Sequence, residues 1–548
     1  MTDSKLEEAT GAAPRSNADS DTDAGQVTPE PGTKARINSR QAQMIAIGGV
    51  IGTGLFVGTG VVLATAGPAL LFAAYFFCCL LALCIVTATT EFNAYLPARG
   101  ASIPYYATRF VSRSLGFALG WLYWYTWAIA VAYEVTAACI VINYWPNPVP
   151  EAAWITIMLA VIIGLNMMPV KVNVRFASLK VFTIIGLLMV SLVLFFGGGP
   201  SHDPLYFRYW HGNEQPAHEY LVGGSAGQLC AFIFALCNGA FAFLFGPEYV
   251  VSASGEMENP RKDLPSTSKH FAWRLICFYG LGALAISIIC PSGNPGLTSG
   301  GSGAAASPWV LGIKSAGIHG LDSVINAAII TSAWSAGNSL LYMSSRSLYS
   351  MSLVGNAPRV FQRCNRWGVP YIAVGVSALF GLLAYMNISS NGGTVFNWLV
   401  SVLNESGFIS WVVCCIVYLR FRAARTAQGI EDLPYKSWLQ PYGAWFALVI
   451  VALLALLNGF ACFFPGNFTA SGFLTAYLGI PVFVVLYAGH KIYSRHDPWY
   501  HPTMSIDLIS GLDDVMAQAA LYRSPGDESS KSKARHLLDK VNSIWGWN

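Results

Sequence analysis

The chain of 548 residues is 54% hydrophobic and only 11% charged, against about 25% charged in an average soluble domain, and its mean hydropathy is +0.48. This composition excludes a soluble globular protein and predicts an all-α polytopic membrane protein. The net charge of +4 is too small to call for a nucleic-acid partner. The cysteines, among them Cys78, Cys79, Cys84, Cys414 and Cys415, lie mostly in apolar runs. Without disulfide or metal-ligand spacing, they read as small core hydrophobes.

Residues 1–36 are rich in Ser, Thr, Asp, Glu, Pro and Gly and show no apolar period, which predicts a disordered tail ending near residue 38. Lys5 and Lys34 are either regulatory modification sites there or part of a plain solvated tail. No cleavable signal peptide is expected, because the tail is polar and the apolar core after it is too long. Runs of spanning length follow at about 43–65, 69–96, 115–143, 153–169, 176–197, 228–251, 272–291, 323–345, 369–388, 395–419, 442–464 and 471–493, which predicts twelve transmembrane helices.

Charge in the connections tests that count. With a cytoplasmic N-terminus, the inner connections hold Arg99, Arg109 and Arg113; Lys171 and Arg175; Arg261, Lys262, Lys269 and Arg274; Arg346, Arg359, Arg363 and Arg366; and Arg420, Arg422, Arg425 and Lys436. The outer ones hold Arg208 and Lys314. The alternation predicts a membrane domain over 39–495 with both termini cytoplasmic. In the tail, 496–548, Ile509, Leu512, Val515 and Met516, then Leu537, Val541, Ile544 and Trp545, recur at helical spacing. That pattern suits an amphipathic stretch packed under the bundle or lying on the inner membrane face.

Two runs are unlike the others. Gly48–Gly60, GGVIGTGLFVGTG, is dense in glycine, which weakens a helix interior by about 1 kcal/mol per residue relative to alanine. Its backbone is expected to open there, and open backbone at membrane depth survives only against protein or a polar cavity. The sixth run contains Phe241–Glu248, FAFLFGPE, where Gly246 joined to Pro247 pairs a helix stop with a helix start. If five spans form one repeat and the next five another, the two interruptions occupy corresponding places, the best sequence pointer to a transporter site. A half-helix starting near Gly52, Thr53 and Gly54 would offer amides to a carboxylate. Half-helices ending near Gly48–Ile51 and near Phe245 would offer carbonyls to an ammonium. An α-amino acid carries both groups on one carbon, and Phe241, Phe243 and Phe245 are candidates to close over its side chain.

The strings GGVIGTGLF, YATRF followed by GFALGW, SGEMENPRKDLP, SRSLYSMSLVGNAP and VFNWLVS resemble those of the fungal amino-acid permeases of the amino acid–polyamine–organocation superfamily. FLFGPE, TSAWSAGNSLLYMSSRSLY, RWGVPYIAVGVS and SGFISW look most similar to the proline-specific branch. The resemblance covers roughly 38–495 and implies a LeuT-like core of two inverted five-helix repeats with broken helices 1 and 6. It implies substrate contacts at Gly52, Thr53 and Gly54 and from Phe243 to Gly246, functional acids at Glu134 and Glu248, and a lysine, Lys180, where related transporters place a sodium ion.

Ionisable groups inside spans are functional candidates by default, each with a plainer alternative. Glu134 belongs to the pocket or proton path, or is a protonated structural acid. Glu248 couples protons, or is a helix-start carboxylate. Lys180 ties the fifth span to the first, or snorkels to the surface. Glu405 contacts a substrate amine, binds a proton, or is structural. Asn338 bonds the ligand or the break, or joins two helices.

The function expected is proton-coupled import of a neutral amino acid, proline first, with alanine, glycine and GABA also possible. No cofactor is expected beyond the proton as coupling ion. The expected partners are the amino acid, protons and the lipid bilayer of the plasma membrane, with ubiquitin-ligase and trafficking machinery at the tails. The competing readings are a receptor that binds without transporting, and a transporter of amines such as GABA or polyamines, which Glu405 favours. No nucleophile–base set, metal cluster or phosphate loop stands out, so no enzyme is expected.

Overall fold

The computed structural model describes residues 52–516 except 98–101, 147, 169–176, 201, 212–214, 245, 255–256, 258–259, 298–306, 319, 366–367, 389–391 and 514, and for 177–180, 252 and 253 the backbone alone. The expectations for the tail 1–38, for Gly48–Ile51, for Phe245, for the Lys180 side chain and for Leu537–Trp545 therefore lie outside the described residues.

Helices dominate, and no strand occurs among the described residues. A π-helical turn, Gly54–Gly58, leads into α1, Thr59–Tyr95. Then come α2 (Ile103–Phe110), α3 (Arg113–Ile142), α4 (Glu151–Asn166), α5 (Ala177–Phe195), α6 (Gly224–Ala240), α7 (Gly246–Ser254), α8 (Pro260–Leu275) and α9 (Leu281–Ile289). The remainder are α10 (Pro308–Ser315), α11 (Leu321–Leu353), α12 (Tyr371–Leu379), α13 (Gly392–Ala427), α14 (Tyr442–Leu457), α15 (Ala470–Tyr477) and α16 (Gly479–Tyr493). Five helical stretches are long and apolar enough to cross a membrane: Gly54–Tyr95, Arg113–Ile142, Pro260–Ile289, Tyr371–Ile388 and Gly392–Ala427. The pair α15 and α16, bent by 45°, makes a sixth if counted as one span. Shorter apolar helices lie at Glu151–Asn166, Val181–Phe195, Gly224–Ala240 and Tyr442–Leu457. The protein is thus a helical, multi-pass membrane protein.

The 37 residues of α1 would reach about 55 Å as one rod, nearly twice a hydrocarbon core of about 30 Å. The helix is divided at Gly67, whose φ of 84° and ψ of 171° are not helical, and Pro68 starts the next stretch. That is where the sequence separates its first two runs. A loop segment seals the break: His218 N–H donates to Ala66 O at 3.0 Å and Ala69 N–H to Pro216 O at 2.9 Å. A Cβ on Gly67 would lie 2.8 Å from Pro216 O. Gly67→Ala thus adds a clash to a disfavoured left-handed conformation and should cost about 1–3 kcal/mol. A thermal melt of the detergent-solubilised variant should fall by several degrees; an unchanged melt contradicts the seal.

α3 forms the centre. Both its polar and apolar residues are buried along most of its length, as befits a helix enclosed by protein rather than facing lipid on one side. α11 and α13 flank it. Ser112 caps its start, accepting from Leu115 N–H at 3.3 Å.

Beyond α16 the chain docks as a strap across one end of the bundle. His501 N–H donates to Val111 O, Gln428 Nε2 to Thr503 O and Ile506 O, and Arg109 to Asp507 O and Ser510 O. Ile506 and Leu508 are buried beneath it. Asp507 pairs with Arg109 at 3.0 Å. Partial burial pushes its carboxyl up, but the amides and hydroxyl of the Ser510 turn and the Arg109 guanidinium outweigh this and hold it below the usual carboxylate range. A depressed acid stabilises above its unfolded value and loses that contribution as pH falls through the folded one, so this latch is closed at neutral pH. The strap joins the α2 region to the end of α13, two basic connections that the charge alternation puts on the same side.

Candidate substrate site at the helix breaks

The described chain enters its first helix at Thr53, and the next turn is π-helical rather than α-helical. A π turn shifts the hydrogen-bond ladder and frees carbonyls, and such turns concentrate at functional sites. Here the carbonyls are taken by side chains. Leu55 O accepts from Thr59 Oγ1 at 3.0 Å and from Trp309 Nε1 at 3.3 Å, and Phe56 O accepts from Ser307 Oγ at 2.8 Å. Ser307 precedes α10 and Trp309 lies in its first turn. The α10 start therefore holds the distorted turn in place, a role that no local sequence pattern announces.

Glu134, in the second half of α3, points at the start of this first helix. Its Oε2 accepts from Thr53 Oγ1 at 3.1 Å and its Oε1 from Thr53 N–H at 3.4 Å. Both residues are buried. A carboxylate at a helix N-terminus meets the positive end of the dipole and an amide with no helical partner. Gly52 makes the approach possible: a Cβ there would fall 2.2 Å from Glu134 Oε1. Behind the acid stand Ala336 and Gly337 of α11, with Ala336 Cβ 3.6 Å from that Gly52 position and Glu134 Cβ 3.7 Å from a Cβ built on Gly337. Small residues there let α11 close on α3.

The interruption between α6 and α7 lies directly against the start of the first helix. α6 ends at Ala240, α7 begins at Gly246, and the chain between turns through Phe241–Leu244. A Cβ on Gly54 would lie 3.2 Å from the Phe241 ring and 3.3 Å from Ala242 Cα. The interruption thus meets the start of the first helix, and Tyr133, the residue before Glu134, lies beside both. Its ring lies 4.6 Å from Phe241 and 4.9 Å from Phe396, centre to centre. Its buried hydroxyl faces Thr53 without a hydrogen bond of normal geometry. Phe241 is partly exposed, whereas Phe243 is fully buried between Tyr75 at 5.8 Å and Tyr279 at 4.7 Å. Phe241 thus belongs to the surface facing the first helix start and Phe243 to the wall behind it.

Glu248, in the first turn of α7, is part of a separate buried network. Its Oε1 accepts from Ser410 Oγ at 2.6 Å and from Tyr123 O–H at 3.1 Å, and those two hydroxyls lie 2.7 Å apart. Oε2 has no hydrogen-bond partner. The acid therefore links α7 to α3 and α13 at once. Gly246 is buried at the start of the same helix.

Asn338 accepts from Asn166 Nδ2 through both its side-chain oxygen (2.8 Å) and its backbone carbonyl (3.2 Å), which joins α11 to α4. Glu405 has a different set of neighbours altogether: Gly479, whose Cβ would lie 2.9 Å from Glu405 Cγ, and Cys237 and Tyr477. Sequence reasoning singled out Thr53, Glu134 and Phe241, which the structure brings together. It missed Tyr133, Ser307, Trp309, Tyr123 and Ser410. A tyrosine adjoining an intramembrane acid was the one available signal among these; the others come from distant helices.

A multi-pass helical bundle in which an interrupted helix abuts a distorted helix start, each with a buried acid beside it, fits a membrane transport protein for a small polar solute. The amino acid permease family model matches residues 41–499, and the chain belongs to that family, whose members are transporters rather than enzymes. It is similar to a proline-specific permease of Emericella nidulans, 44% identical over 534 residues covering 95% of this chain and 94% of the relative. A proline-specific permease of Saccharomyces cerevisiae is 45% identical, over 88% of this chain and 79% of the relative. A probable proline-specific permease of Schizosaccharomyces pombe is 43% identical, over 91% and 90%.

Proposed function

We propose that this permease imports proline across the plasma membrane with a proton, by alternating access through a twelve-helix, inverted-repeat core with both termini cytoplasmic. The three proline-specific relatives at 43–45% identity support proline ahead of alanine, glycine or GABA. The observation that carries the mechanism is the double hydrogen bond from Thr53 to Glu134 beside Phe241.

In the ionised state Glu134 holds the Thr53 amide, the same donor that a substrate carboxylate would need. A proton on Glu134 weakens both bonds, because a neutral carboxyl is a poorer acceptor than a carboxylate, and leaves Thr53 N–H to the substrate. Tyr133 and Phe241 then flank the pyrrolidine ring, which carries no side-chain donor to satisfy. Proton and proline therefore bind together, and their release on the other side restores the Thr53–Glu134 bonds. Motion of α6 and α7 against α3 opens the site alternately, with the contact of Gly54 on Phe241 and Ala242 as the seam. The strap on the α2 and α13 connections marks the inner end in this orientation.

Purified protein in liposomes should show saturable uptake of labelled proline, stimulated by an inward proton gradient and reduced by excess unlabelled proline. Proline binding without flux would instead make the protein a receptor, and a preference for amines over proline would overturn the substrate.

A further inference from the structure

Glu405 is a membrane acid used by neither the Thr53–Glu134 cluster nor the Glu248 network. Its side chain is fully buried in the middle of α13, and neither carboxyl oxygen has a hydrogen-bond partner. Asn458 lies beside it, but its Nδ2 donates to Ser401 O (3.1 Å) and Ala476 O (3.2 Å). The adjoining Asn404 Oδ1 is also buried and unpartnered, and is an acceptor rather than a donor. The titratable groups facing Glu405 are the Cys237 thiol of α6 and the Tyr477 phenol of α15, with Cys462 beyond Tyr477. No cation among the described residues makes an ion pair with it.

A carboxylate buried among apolar groups, with the neighbouring thiol and phenol donating to Leu454 O and Leu456 O instead, has a prohibitive desolvation cost, and a carboxyl that carries its own proton removes that cost. A permanently neutral structural group would still find a partner for its O–H, as buried polar groups do. Glu405 does not, and it sits at a joint: Gly479, the first residue of α16, presses on its stem where α15 and α16 bend by 45°. On its other side, Cys237 lies in the last turn of α6, just before the interruption. The acid thus lies between the helix interrupted after α6 and a bent peripheral pair.

We propose that Glu405 is a second proton-binding site of this permease, separate from the Thr53–Glu134 cluster, which takes up its proton when α6 packs against α13 and releases it when α6 moves away. This rests on the proton-coupled reading above. In the packed arrangement described here the proton is bound; separation of α6 from the α13–α16 joint admits water, which stabilises the anion and carries the proton off.

The test is proline uptake by Glu405→Gln in proteoliposomes. The variant is expected to keep exchange of proline for proline but to lose stimulation by the proton gradient even with Glu134 intact, because the amide mimics the protonated acid and cannot release the proton that return of the empty transporter requires. In parallel, the wild-type protein is treated with dicyclohexylcarbodiimide, which reacts with protonated carboxyls in apolar surroundings. The carboxyl O–H adds across a C=N bond, and the adduct rearranges to a stable N-acylurea with no leaving group. Mass spectrometry should find that adduct on Glu405 at acidic pH, decreasing at alkaline pH.

Gradient stimulation that persists in Glu405→Gln, loss of exchange together with stimulation, or absence of the adduct each overturns the assignment. Wild-type uptake indifferent to the gradient removes the proton-coupled reading itself, and this proposal with it.

Discussion

Replacing Gly52 by alanine is expected to lower proline uptake, as kcat/KM, by about 10- to 100-fold while leaving the protein folded. The new Cβ falls 2.2 Å from Glu134 Oε1, but that oxygen is the tip of a flexible side chain and can swing away. Its displacement breaks the bonds to Thr53 that are restored in each cycle, and the value of one hydrogen bond to a charged group, about 1.5–3 kcal/mol, corresponds to that range. The loss therefore falls on the site and not on the fold. Glu134→Gln makes the complementary test: the amide keeps one acceptor for Thr53 but cannot exchange a proton, so uptake should persist weakly with a flattened pH dependence. Measurement of uptake against external pH for both variants, with thermal melts as folding controls, checks the pair. Wild-type uptake by Gly52→Ala would show that the Thr53–Glu134 contact is incidental.

The second large effect is expected at Glu248, and it falls on stability first. Glu248→Ala removes the acceptor of the Tyr123 and Ser410 hydroxyls and leaves a void among buried groups of three helices. Removing a buried, doubly hydrogen-bonded side chain costs about 2–4 kcal/mol. Glu248→Gln retains a carbonyl oxygen where Oε1 accepts both bonds and should melt close to the wild type. A thermal melt in detergent and the yield of monodisperse protein measure both. Equal damage from Gln and Ala would mean that negative charge, and not the acceptor, is what α7 requires.

The two cases show how differently the acids were legible. An intramembrane glutamate is conspicuous in sequence wherever it occurs, so Glu134, Glu248 and Glu405 are all evident at once. Nothing in their sequence separates them, however, because none has a charged neighbour on its own helix to declare its partner. In the fold they are held by Thr53, by Tyr123 and Ser410, and by no donor at all. Asn338, open to several readings in the sequence, is bound to Asn166, 172 positions away along the chain.

The phenylalanines divide in the same way. FAFLFGPE predicts an interruption because Gly246 and Pro247 act locally, and helices on either side of it are observed. Which rings face the gap is a tertiary matter: Tyr133 meets Phe241, while Tyr75 and Tyr279 enclose Phe243.

By itself the sequence determined that the chain is a helical membrane protein and where its first helix and its sixth apolar run deviate from regular helix. Hydrophobic length and the backbone chemistry of glycine and proline are local properties, expressed wherever those residues stand. Only the tertiary structure decided that the start at Thr53 faces Glu134, that α10 restrains the π turn, and that Glu405 belongs to the joint of α15 and α16. Those arrangements depend on which distant helix supplies a donor, an acceptor or a small residue, and a helical period fixes the face of a residue without naming what packs against it.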